Sequence, residues 1–357
     1  MRIGFVIGTL NYSGAEKIAR YLIDALYHKY NHEIGIILIP GEEKPYPEFS
    51  YAKQYLIKNK GNRLLSVINR QRKIRQIVRA DKYDVIVSFG VKFNIDVIEA
   101  LKFTKTKVIL CERNDPVNDP HRKILRLRRR MSYPFATGFV FQTERIASFF
   151  GSRICKRSVI IPNFIENKLP NLFNENAENN IVVTARLDDL QKNISMLLKA
   201  FAKFVDQYDY RLYIVGNGPD ELKFKKLAED LRITDRVVFT GRQNVYDYLK
   251  IAQIYVLPSN YEGMPNSLIE AMASGLPCIA TDCSGGGAAY LIEDHINGTL
   301  IPIGGEKELV ASLEELAGNE ELRMKYSNEA YMINGKLKIN RIIKLWVDYI
   351  EKVGLNE

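Results

Sequence analysis

Two glutamates, Glu262 and Glu270, stand on either side of a seven-residue stretch that begins as a loop with Gly and Pro. The apolar run at 254–257 predicts a buried strand before the loop, and 266–274 has the pattern of a short helix after it. Carboxylates accept hydrogen bonds from hydroxyl groups, and the free N–H groups at a helix N-terminus favour an anion such as phosphate. This arrangement predicts a site that holds a sugar nucleotide along its length. The alternative is a surface loop with two solvated glutamates, because this spacing also occurs by chance.

The elements that must position these glutamates follow from an alternation of short apolar runs and helical patterns, which predicts parallel sheets covered by helices. Strands are expected at 3–7, 34–39, 85–88, 108–111, 138–141, 159–161, 181–185, 211–215, 237–240, 254–257, 278–280 and 299–302. Helices are expected at 15–27, 64–78, 193–208, 220–231, 244–250, 266–274 and 339–352. A polar, Asn-rich stretch at 166–180 separates two halves of similar build. We therefore expect two α/β domains, at 1–168 and 169–338, that bind ligands beyond the carboxyl ends of their strands.

Composition narrows the class of protein. The chain has 357 residues, of which 46% are hydrophobic, and this fits a soluble globular protein of two domains. No apolar run approaches the roughly 18 residues of a membrane span, and the N-terminus has no signal-peptide pattern. The four cysteines and four histidines show no metal-ligand spacing. We therefore expect a cytoplasmic protein with reduced cysteines and no bound metal.

The first half of the chain is strongly basic. Residues 1–165 carry 30 Lys and Arg against 14 Asp and Glu, whereas the remainder carries 21 against 28. The cations concentrate on two helical patterns, at 64–79 and 122–130. Basic amphipathic helices attract anionic headgroups, so we expect these helices to dock on an anionic membrane surface or to hold an acceptor's diphosphate. A solvated helix face is the alternative for either helix alone, and a nucleic-acid-binding protein is the rival class, although the basic runs lack interleaved aromatic residues.

Several motifs, in order along the chain, resemble those of one enzyme family. They are Ser13-Gly14-Ala15-Glu16, Ile161-Pro162-Asn163, Thr184-Ala185-Arg186 with Lys192-Asn193, Val215-Gly216-Asn217-Gly218, Phe239-Thr240-Gly241, the pair Glu262 and Glu270, Gly285-Gly286-Gly287 and Asn297-Gly298. Over nearly the whole chain this pattern is similar to the retaining GT-B glycosyltransferases of family four, in which two Rossmann-like, doubly wound parallel-sheet domains face each other across a cleft. The segments 88–90, 112–116 and 129–135 resemble the branch that adds sugars to lipid-linked or capsular glycans. The resemblance also implies that a C-terminal helix at about 339–357 packs back on the first domain.

The resemblance implies roles for residues of the second half. Arg186 and Lys192 would hold the donor's diphosphate, since fixed cations stabilise the charge that develops on a leaving nucleoside diphosphate. Glu262 would bind hydroxyls of the transferred sugar, and Glu270 those of the ribose. The remaining donor-binding residues are expected to be Gly263, Met264, Pro265, Asn266, Ser267, Leu268, Gly216, Arg242 and Gln243.

In the first half, a turn at Ser13 and Gly14 lets backbone N–H groups approach an acceptor or the donor phosphate. The full Gly-x-Gly-x-x-Gly pattern is absent, which disfavours dinucleotide binding. Many members of the family carry a histidine beside the donor sugar after the strand equivalent to 108–111, where this chain has Glu112, Arg113 and Asn114. We expect Arg113 or Asn114 to replace the histidine's hydrogen bond, with Arg113 a catalytic candidate, and Glu112 and Asn114 to bind the acceptor. A capping and turn cluster is the alternative.

The residues and the resemblance together predict a retaining glycosyltransferase that needs neither a cofactor nor a metal. It would move a hexosyl or N-acetylhexosaminyl group from a nucleotide sugar, first of all a UDP-sugar, to a glycan or polyprenyl-diphosphate-linked acceptor. We expect it to be peripheral at the cytoplasmic face of the cell membrane, with no nucleic acid as a partner. A phosphorylase on the same double fold is the other alternative, but the sequence gives no signal of a lysine placed for a pyridoxal cofactor.

Overall fold

The computed structural model describes residues 1–10, 14–39, 45–58, 62–166, 169–174 and 178–355. The chain forms two compact units, one made of Met1–Phe164 with Ile339–Glu357 and the other of Ile165–Lys338. We call them unit 1 and unit 2. Within the described ranges, no helix combines the length and the apolar character that crossing a membrane requires.

Unit 1 is built on a seven-stranded parallel sheet with the strand order β3-β2-β1-β4-β5-β6-β7. Its strands are β1 (Arg2–Ile7), β2 (Glu33–Leu38), β3 (Lys53–Leu56), β4 (Val85–Phe89), β5 (Lys107–Cys111), β6 (Gly138–Phe141) and β7 (Ser158–Ile160). Its helices are α1 (Gly14–His28), α2 (Arg63–Asp81), α3 (Val91–Leu101), α4 (Lys123–Ser132), α5 (Glu144–Ser148), α6 (Ser152–Cys155) and, from the end of the chain, α16 (Ile339–Leu355). The six strands predicted for this half are confirmed to within one residue at each end.

The sequence pattern does not predict β3. Its residues, Lys-Gln-Tyr-Leu, are exposed or half-buried, because β3 lies at the edge of the sheet and pairs with β2. An edge strand does not need the continuous apolar run that marks a strand buried on both faces.

Unit 2 is built on a six-stranded parallel sheet with the order β10-β9-β8-β11-β12-β13. Its strands are β8 (Asn180–Thr184), β9 (Arg211–Val215), β10 (Val237–Gly241), β11 (Ile254–Leu257), β12 (Cys278–Thr281) and β13 (Thr299–Ile301). Its helices are α7 (Asp189–Lys192), α8 (Ile194–Phe204), α9 (Glu221–Asp230), α10 (Val245–Leu249), α11 (Asn266–Ala273), α12 (Gly287–Leu291), α13 (Glu306–Gly318), α14 (Glu320–Tyr331) and α15 (Ile333–Lys336). Two doubly wound parallel sheets confirm the predicted α/β fold class.

The strand order of each sheet reverses beside its first strand. In unit 2, β8 lies between β9 and β11, and the connections leave in opposite directions from this point, so a crevice forms beyond the carboxyl ends of the two central strands. The strands β8 and β11 pair at Ile181 with Ile254 and at Val182 with Tyr255, so their last residues are not paired with each other. The loops after β8 and β11 are therefore the first place to look for a ligand site.

The core of unit 1 includes the last helix of the chain. Trp346 of α16 is fully buried and stacks on Phe89 of β4, with 5.6 Å between the ring centroids. The Tyr349 hydroxyl accepts a hydrogen bond of 2.9 Å from the Phe139 N–H and donates one of 2.7 Å to the Arg157 carbonyl oxygen. Residues from both ends of the sequence thus complete one hydrophobic core.

Candidate active site

A lysine and a glutamate meet at the carboxyl ends of β8 and β11. Lys192 Nζ lies 2.5 Å from Glu262 Oε1, and the Ser259 hydroxyl donates a second hydrogen bond, of 2.8 Å, to the same oxygen. Glu262 is only 7% exposed, so two donors hold its carboxylate in one orientation. The structure thus brings together two predicted site residues that lie 70 positions apart in the sequence.

The loop after β8, which carries Lys192, is held by the carboxylate of Asp189. This carboxylate accepts hydrogen bonds of 2.9 and 2.7 Å from the N–H and hydroxyl of Ser195 and pairs with Lys223 at 2.6 Å. Burial works in the opposite direction, but Lys223 and Ser195 together lower the pKa of Asp189. A residue with a positive φ of 49°, Asn193, then ends α7 and begins α8. Lys192 therefore stands on a backbone that is fixed from both sides.

The loop after β11 is also fixed from two sides. The Asn260 N–H donates a hydrogen bond of 2.8 Å to the Gln191 carbonyl oxygen, which joins this loop to α7. On the other side Gly285 packs against the loop so closely that a Cβ there would lie 2.0 Å from the Glu262 carbonyl oxygen. Because that neighbour is backbone, a larger side chain at Gly285 would displace the loop that carries Glu262.

Glu270 lies in α11, half-buried, and its charge acts on Tyr246 of α10. Burial, followed by the carboxylates of Glu270 and Glu166, raises the pKa of Tyr246 to about 12. The tyrosine hydroxyl therefore keeps its proton at neutral pH. Tyr246 follows the loop that carries Arg242 and Gln243, both of which are exposed. This loop follows β10, the edge strand that pairs with β9, and the effect of the Glu270 charge shows that Tyr246 lies near that glutamate.

The segment between the two glutamates is mostly buried. Its six predicted binding residues are Gly263, Met264, Pro265, Asn266, Ser267 and Leu268. Asn266 and Ser267 are half-buried, and the other four are buried. Ser267 forms a side-chain hydrogen bond with Tyr255, and Leu268 lies in the core. These two side chains already make contacts within unit 2, so only the backbone groups of Ser267 and Leu268 are available to contact a ligand.

The turn after β9 packs directly on the loop that carries Arg186. Gly216 has a φ of 140°, where a side chain would be strained, and a Cβ there would lie 1.9 Å from the Ala185 carbonyl oxygen. Arg186 itself is exposed, and it forms no ion pair with any residue that the structure describes. An exposed guanidinium without a carboxylate partner is available to a phosphate group.

In unit 1, the guanidinium of Arg113 is enclosed at the end of β5. Its Nη2 donates a hydrogen bond to Asn163 Oδ1, which also accepts one of 2.8 Å from Gln142 Nε2. Two more buried N–H groups of Arg113, Nε and Nη1, have no partner within the described ranges, and neither has Gln142 Oε1. Burial lowers the pKa of Arg113 to about 10, which leaves it cationic at neutral pH. Unused buried donors on a cation suit an anion or a sugar hydroxyl.

Glu112 is turned into unit 1. Only 2% of the residue is exposed, and its Oε1 accepts a hydrogen bond from the Tyr133 hydroxyl and lies 3.4 Å from Asn94 Nδ2. Burial raises the pKa of Glu112 to about 7, against the opposing effects of Tyr133 and of the Arg129 charge. Direct binding of an acceptor by this carboxyl stays a prediction, and its burial favours a role in positioning the loop at Arg113.

The residues after Arg113 form a turn. Asn114 Nδ2 lies 3.3 Å from Asp119 Oδ2, and Asp115 is fully buried and accepts hydrogen bonds of 3.0 and 2.6 Å from the Val117 N–H and Asn118 Nδ2. The turn alternative therefore describes Asp115. Of the predicted glycine turn near the N-terminus, Gly14 begins α1, and Ser13 lies outside the described residues.

The two basic helices are partly neutralised by α3, which lies between them. Arg70 of α2 and Arg128 of α4 both pair with Asp96, at 2.7 and 3.1 Å, and Arg128 also pairs with Glu99 at 2.6 Å. Arg129 is 4% exposed and donates hydrogen bonds to two backbone carbonyl groups. These three arginines hold the helical layer together, so the cations predicted to meet a membrane or an acceptor are only those that remain exposed.

Sequence reasoning misses the residues that orient Glu262. Ser259 donates to the carboxylate, and Asn260 ties the loop to α7, but no motif marks either of them. The available signal is position, because a polar residue just after a buried strand lies at the ligand-binding edge of a parallel sheet. The same signal would have pointed to Gln142 after β6. Among the described residues, no three His, Cys, Asp or Glu side chains come together as a group that could hold a metal ion.

Comparison with known proteins gives a consistent picture. Residues 165–332 match the family described as Glycosyl transferases group 1. A Campylobacter jejuni protein, "GalNAc-alpha-(1->4)-GalNAc-alpha-(1->3)-diNAcBac-PP-undecaprenol alpha-1,4-N-acetyl-D-galactosaminyltransferase", is 29% identical over 99% of each chain. The structure is similar to that of the lipopolysaccharide outer core galactosyltransferase WaaB, with a TM-score of 0.82, 19% identity and 99% of each chain covered. It is also similar to that of the Anabaena protein HepE in complex with UDP, with a TM-score of 0.80, 17% identity, and 99% and 100% of the two chains covered.

These findings confirm the resemblance on which the sequence analysis rests. The structural likenesses show the fold, and the sequence matches show the class of enzyme. The chain is therefore a glycosyltransferase with the GT-B fold, and residues 165–332, nearly all of unit 2, match the group 1 glycosyl transferases.

Proposed function

We propose that this enzyme transfers a sugar from a nucleotide sugar, first of all a UDP-sugar, to a lipid-linked or capsular glycan at the cytoplasmic face of the membrane. Transfer keeps the anomeric configuration and needs no metal ion. The Campylobacter jejuni relative, whose name specifies an undecaprenol-linked acceptor and an α-1,4-N-acetyl-D-galactosaminyl transfer, supports the acceptor class. The UDP complex of the Anabaena neighbour supports the choice of UDP for the first test.

The observation that carries the proposal is the contact between Lys192 and Glu262 at the switch point of unit 2. It places a cation and a carboxylate, 2.5 Å apart, on two loops whose backbones are fixed. A donor has the complementary halves, since its diphosphate is anionic and its sugar offers hydroxyl groups. When a donor binds, Lys192 turns to the diphosphate and Glu262 accepts hydrogen bonds from the sugar.

The reaction needs stabilisation of the leaving group more than it needs a base. The bond between the sugar's anomeric carbon and the diphosphate oxygen breaks, and the electron pair stays on the diphosphate. Arg186, Lys192 and the positive end of the α11 helix dipole are the groups proposed to meet this charge. The acceptor oxygen then bonds to the anomeric carbon from the face that the diphosphate leaves, and its proton passes to a diphosphate oxygen.

The first experiment is thermal unfolding with UDP-, GDP-, ADP- and dTDP-sugars, each with magnesium and with a chelator. A ligand at one hundred times its Kd stabilises the folded state by about 2.7 kcal/mol, which raises the Tm by several degrees. We expect one nucleotide series to produce this rise without magnesium. No rise with any series at saturating concentration would overturn the proposed donor site, and a rise that disappears with chelator would overturn metal independence.

Variants of the paired side chains test the residues themselves. We expect Lys192→Ala to reduce transfer by about 100-fold or more, because one donor to the leaving group is typically worth that much. Glu262→Ala should reduce transfer by about 10- to 100-fold, because a hydrogen bond from a sugar hydroxyl to a charged group is worth about 1.5–3 kcal/mol. The control is Lys199→Ala, an exposed lysine on the next helix, which should leave transfer unchanged. Full activity of both site variants would contradict the assignment, and an inverted anomeric proton coupling in the product's NMR spectrum would contradict retention.

A further inference from the structure

The outward face of α4 is apolar. Ile124, Leu127 and Met131 lie on successive turns of this helix and are 59%, 53% and 64% exposed. The side of α4 that packs on unit 1 carries polar groups instead, since Arg129 and Ser132 are the buried residues of the helix. A soluble helix ordinarily has the opposite arrangement, with apolar residues inward and charges outward.

Cations flank this apolar stripe. Lys123, Arg126 and Arg130 are exposed, and none of the three forms an ion pair with a described residue, in contrast to Arg128 on the side that faces α3. A helix with apolar residues on its outer face and Lys or Arg beside them has the composition of a helix that lies in a membrane interface.

A pocket beside α4 continues the basic flank. It encloses about 580 Å³, and three exposed arginines, Arg126, Arg130 and Arg153, line it together with Phe149 and Val117. Those two apolar residues are 47% and 46% exposed. The pocket therefore presents guanidinium groups over an apolar floor, which is the chemistry of a phosphate attached to a hydrocarbon stem.

Two exposed aromatic residues lie near the ends of the helices that border this surface. Phe135, just after α4, is 50% exposed, and Phe103, just after α3, is 83% exposed. Their rings are in edge-to-face contact, with centroids 5.6 Å apart. Large apolar rings that cluster in this way on the outside of a protein mark a contact surface.

We propose that α4 lies in the headgroup layer of an anionic bilayer. Ile124, Leu127 and Met131 reach the boundary of the acyl chains, while Arg126, Arg130 and Arg153 hold lipid phosphate groups. This inference deepens the proposed function and rests on its membrane location, but it does not depend on the donor site in unit 2.

A bilayer fits this surface better than the other possible occupants. A nucleic acid would contact the cations but would gain little from an apolar stripe between them. A second copy of this chain, packed face to face through α4, would bring the same unpaired cations of both copies together. An anionic bilayer meets the cations with phosphate and the stripe with hydrocarbon, so it is the occupant that both features favour.

The first test is cosedimentation with vesicles of phosphatidylcholine, alone or with 30 mol% phosphatidylglycerol. The wild-type enzyme should bind the anionic vesicles. The variant with Ile124→Ser, Leu127→Ser and Met131→Ser should bind these vesicles more weakly by a factor of about ten or more. The matched control replaces three exposed apolar residues of unit 2, with Leu222→Ser, Ile303→Ser and Met332→Ser, and should bind as the wild type does.

The cations are tested in the same way. Arg130→Gln and Arg153→Gln should each weaken binding about fivefold, the value of one cation near an anionic surface. Lys226→Gln and Lys307→Gln, exposed cations of unit 2, are the controls. Equal binding by the stripe variant and the wild type, or binding by the wild type to an oligonucleotide in preference to the anionic vesicles, would overturn the proposal. A dimer that the stripe variant abolishes would also overturn it.

A fluorescence measurement separates insertion from simple adsorption. The chain's only tryptophan, Trp346, is fully buried. A change in fluorescence on contact with vesicles is therefore expected from a second tryptophan, introduced by Leu127→Trp. Its emission should shift to the blue with anionic vesicles and stay shifted in high salt, whereas Leu222→Trp should not respond. Cosedimentation without a shift at Leu127→Trp would refute insertion. The nucleotide-dependent rise in Tm, measured on the same variants, should be unchanged, and this separates failure at α4 from failure of the donor site.

Discussion

Replacing Glu112 with glutamine should change how the stability of unit 1 depends on pH. Burial raises the pKa of this carboxyl from 4.5 to about 7. At about 1.4 kcal/mol per pH unit, this difference corresponds to about 3 kcal/mol. Because the folded state binds the proton more tightly than the unfolded state, the wild-type enzyme loses stability as pH rises from about 4.5 to about 7. A neutral glutamine has no proton to lose, so Glu112→Gln removes this loss.

The difference between the two proteins isolates the titration of Glu112. Other groups that titrate contribute to both proteins and cancel, and altered hydrogen bonds to Tyr133 give an offset that does not vary with pH. Between about pH 5.5 and pH 8.5, the wild type should lose about 2 kcal/mol relative to Glu112→Gln. Urea unfolding followed by the fluorescence of Trp346 measures this, since the only tryptophan lies in the core of unit 1.

A second variant serves as the control. Glu99 is also a partly buried carboxyl of this region, but Arg128 and other partners lower its pKa in spite of the opposing effect of burial. Its titration therefore falls below pH 4.5, and the difference between wild type and Glu99→Gln should be constant from about pH 5.5 to pH 8.5. A constant difference for Glu112→Gln, or a slope of opposite sign, would refute the conclusion that burial raises the pKa of this carboxyl.

Three further predictions concern the candidate active site. Gly285→Ala should destabilise unit 2 by about 1–3 kcal/mol and weaken nucleotide binding, because the added Cβ meets the backbone at Glu262. Gly335→Ala is the control and should do neither, since a Cβ there meets nothing within 4 Å. Equal unfolding curves for the two variants would contradict this prediction. Tyr246→Phe should change the Kd for nucleotide less than about threefold, since a neutral hydroxyl is removed, and a loss as large as a charged partner causes, about tenfold or more, would show that it binds the ligand directly. Arg113→Gln should lower kcat about 100-fold with no fall in Tm, because two buried N–H groups of this cation have no partner in the described structure and are available to the substrate. A fall in Tm with unchanged kcat would instead show that Arg113 is a structural residue.

Apolar runs predict the strands of both sheets well, because a strand buried on both faces must be apolar along its whole length. The edge strand β3 escapes that rule, since its side chains are half-exposed and need no apolar pattern. Motifs place Lys192 and Glu262 after the carboxyl ends of two strands, but the contact between them depends on side-chain directions that the sequence does not show. The sequence likewise does not show that Tyr246 of α10 lies near Glu270 of α11.

The helix α4 shows a different limit of prediction. Its periodicity separates an apolar side from a basic side, and the ordinary rule places the apolar side inward. The structure has the apolar side outward, because Arg129 donates to the carbonyl groups of the preceding loop and Arg128 pairs with α3. Which face of an amphipathic helix is buried is decided by its neighbours and not by its own pattern.

The position of α16 has a consequence for how the chain folds during synthesis. Unit 2 is one uninterrupted segment, and its ends are joined by a bridge between Ile165 and Lys338. A ribosome therefore releases every residue of unit 2 before Trp346 can cover Phe89. Tyr349 and Phe139, in contact in the finished protein, are 210 positions apart. Unit 2 is thus expected to reach its native state while unit 1 still exposes part of its core, and in that interval unit 1 is the portion that a chaperone must protect.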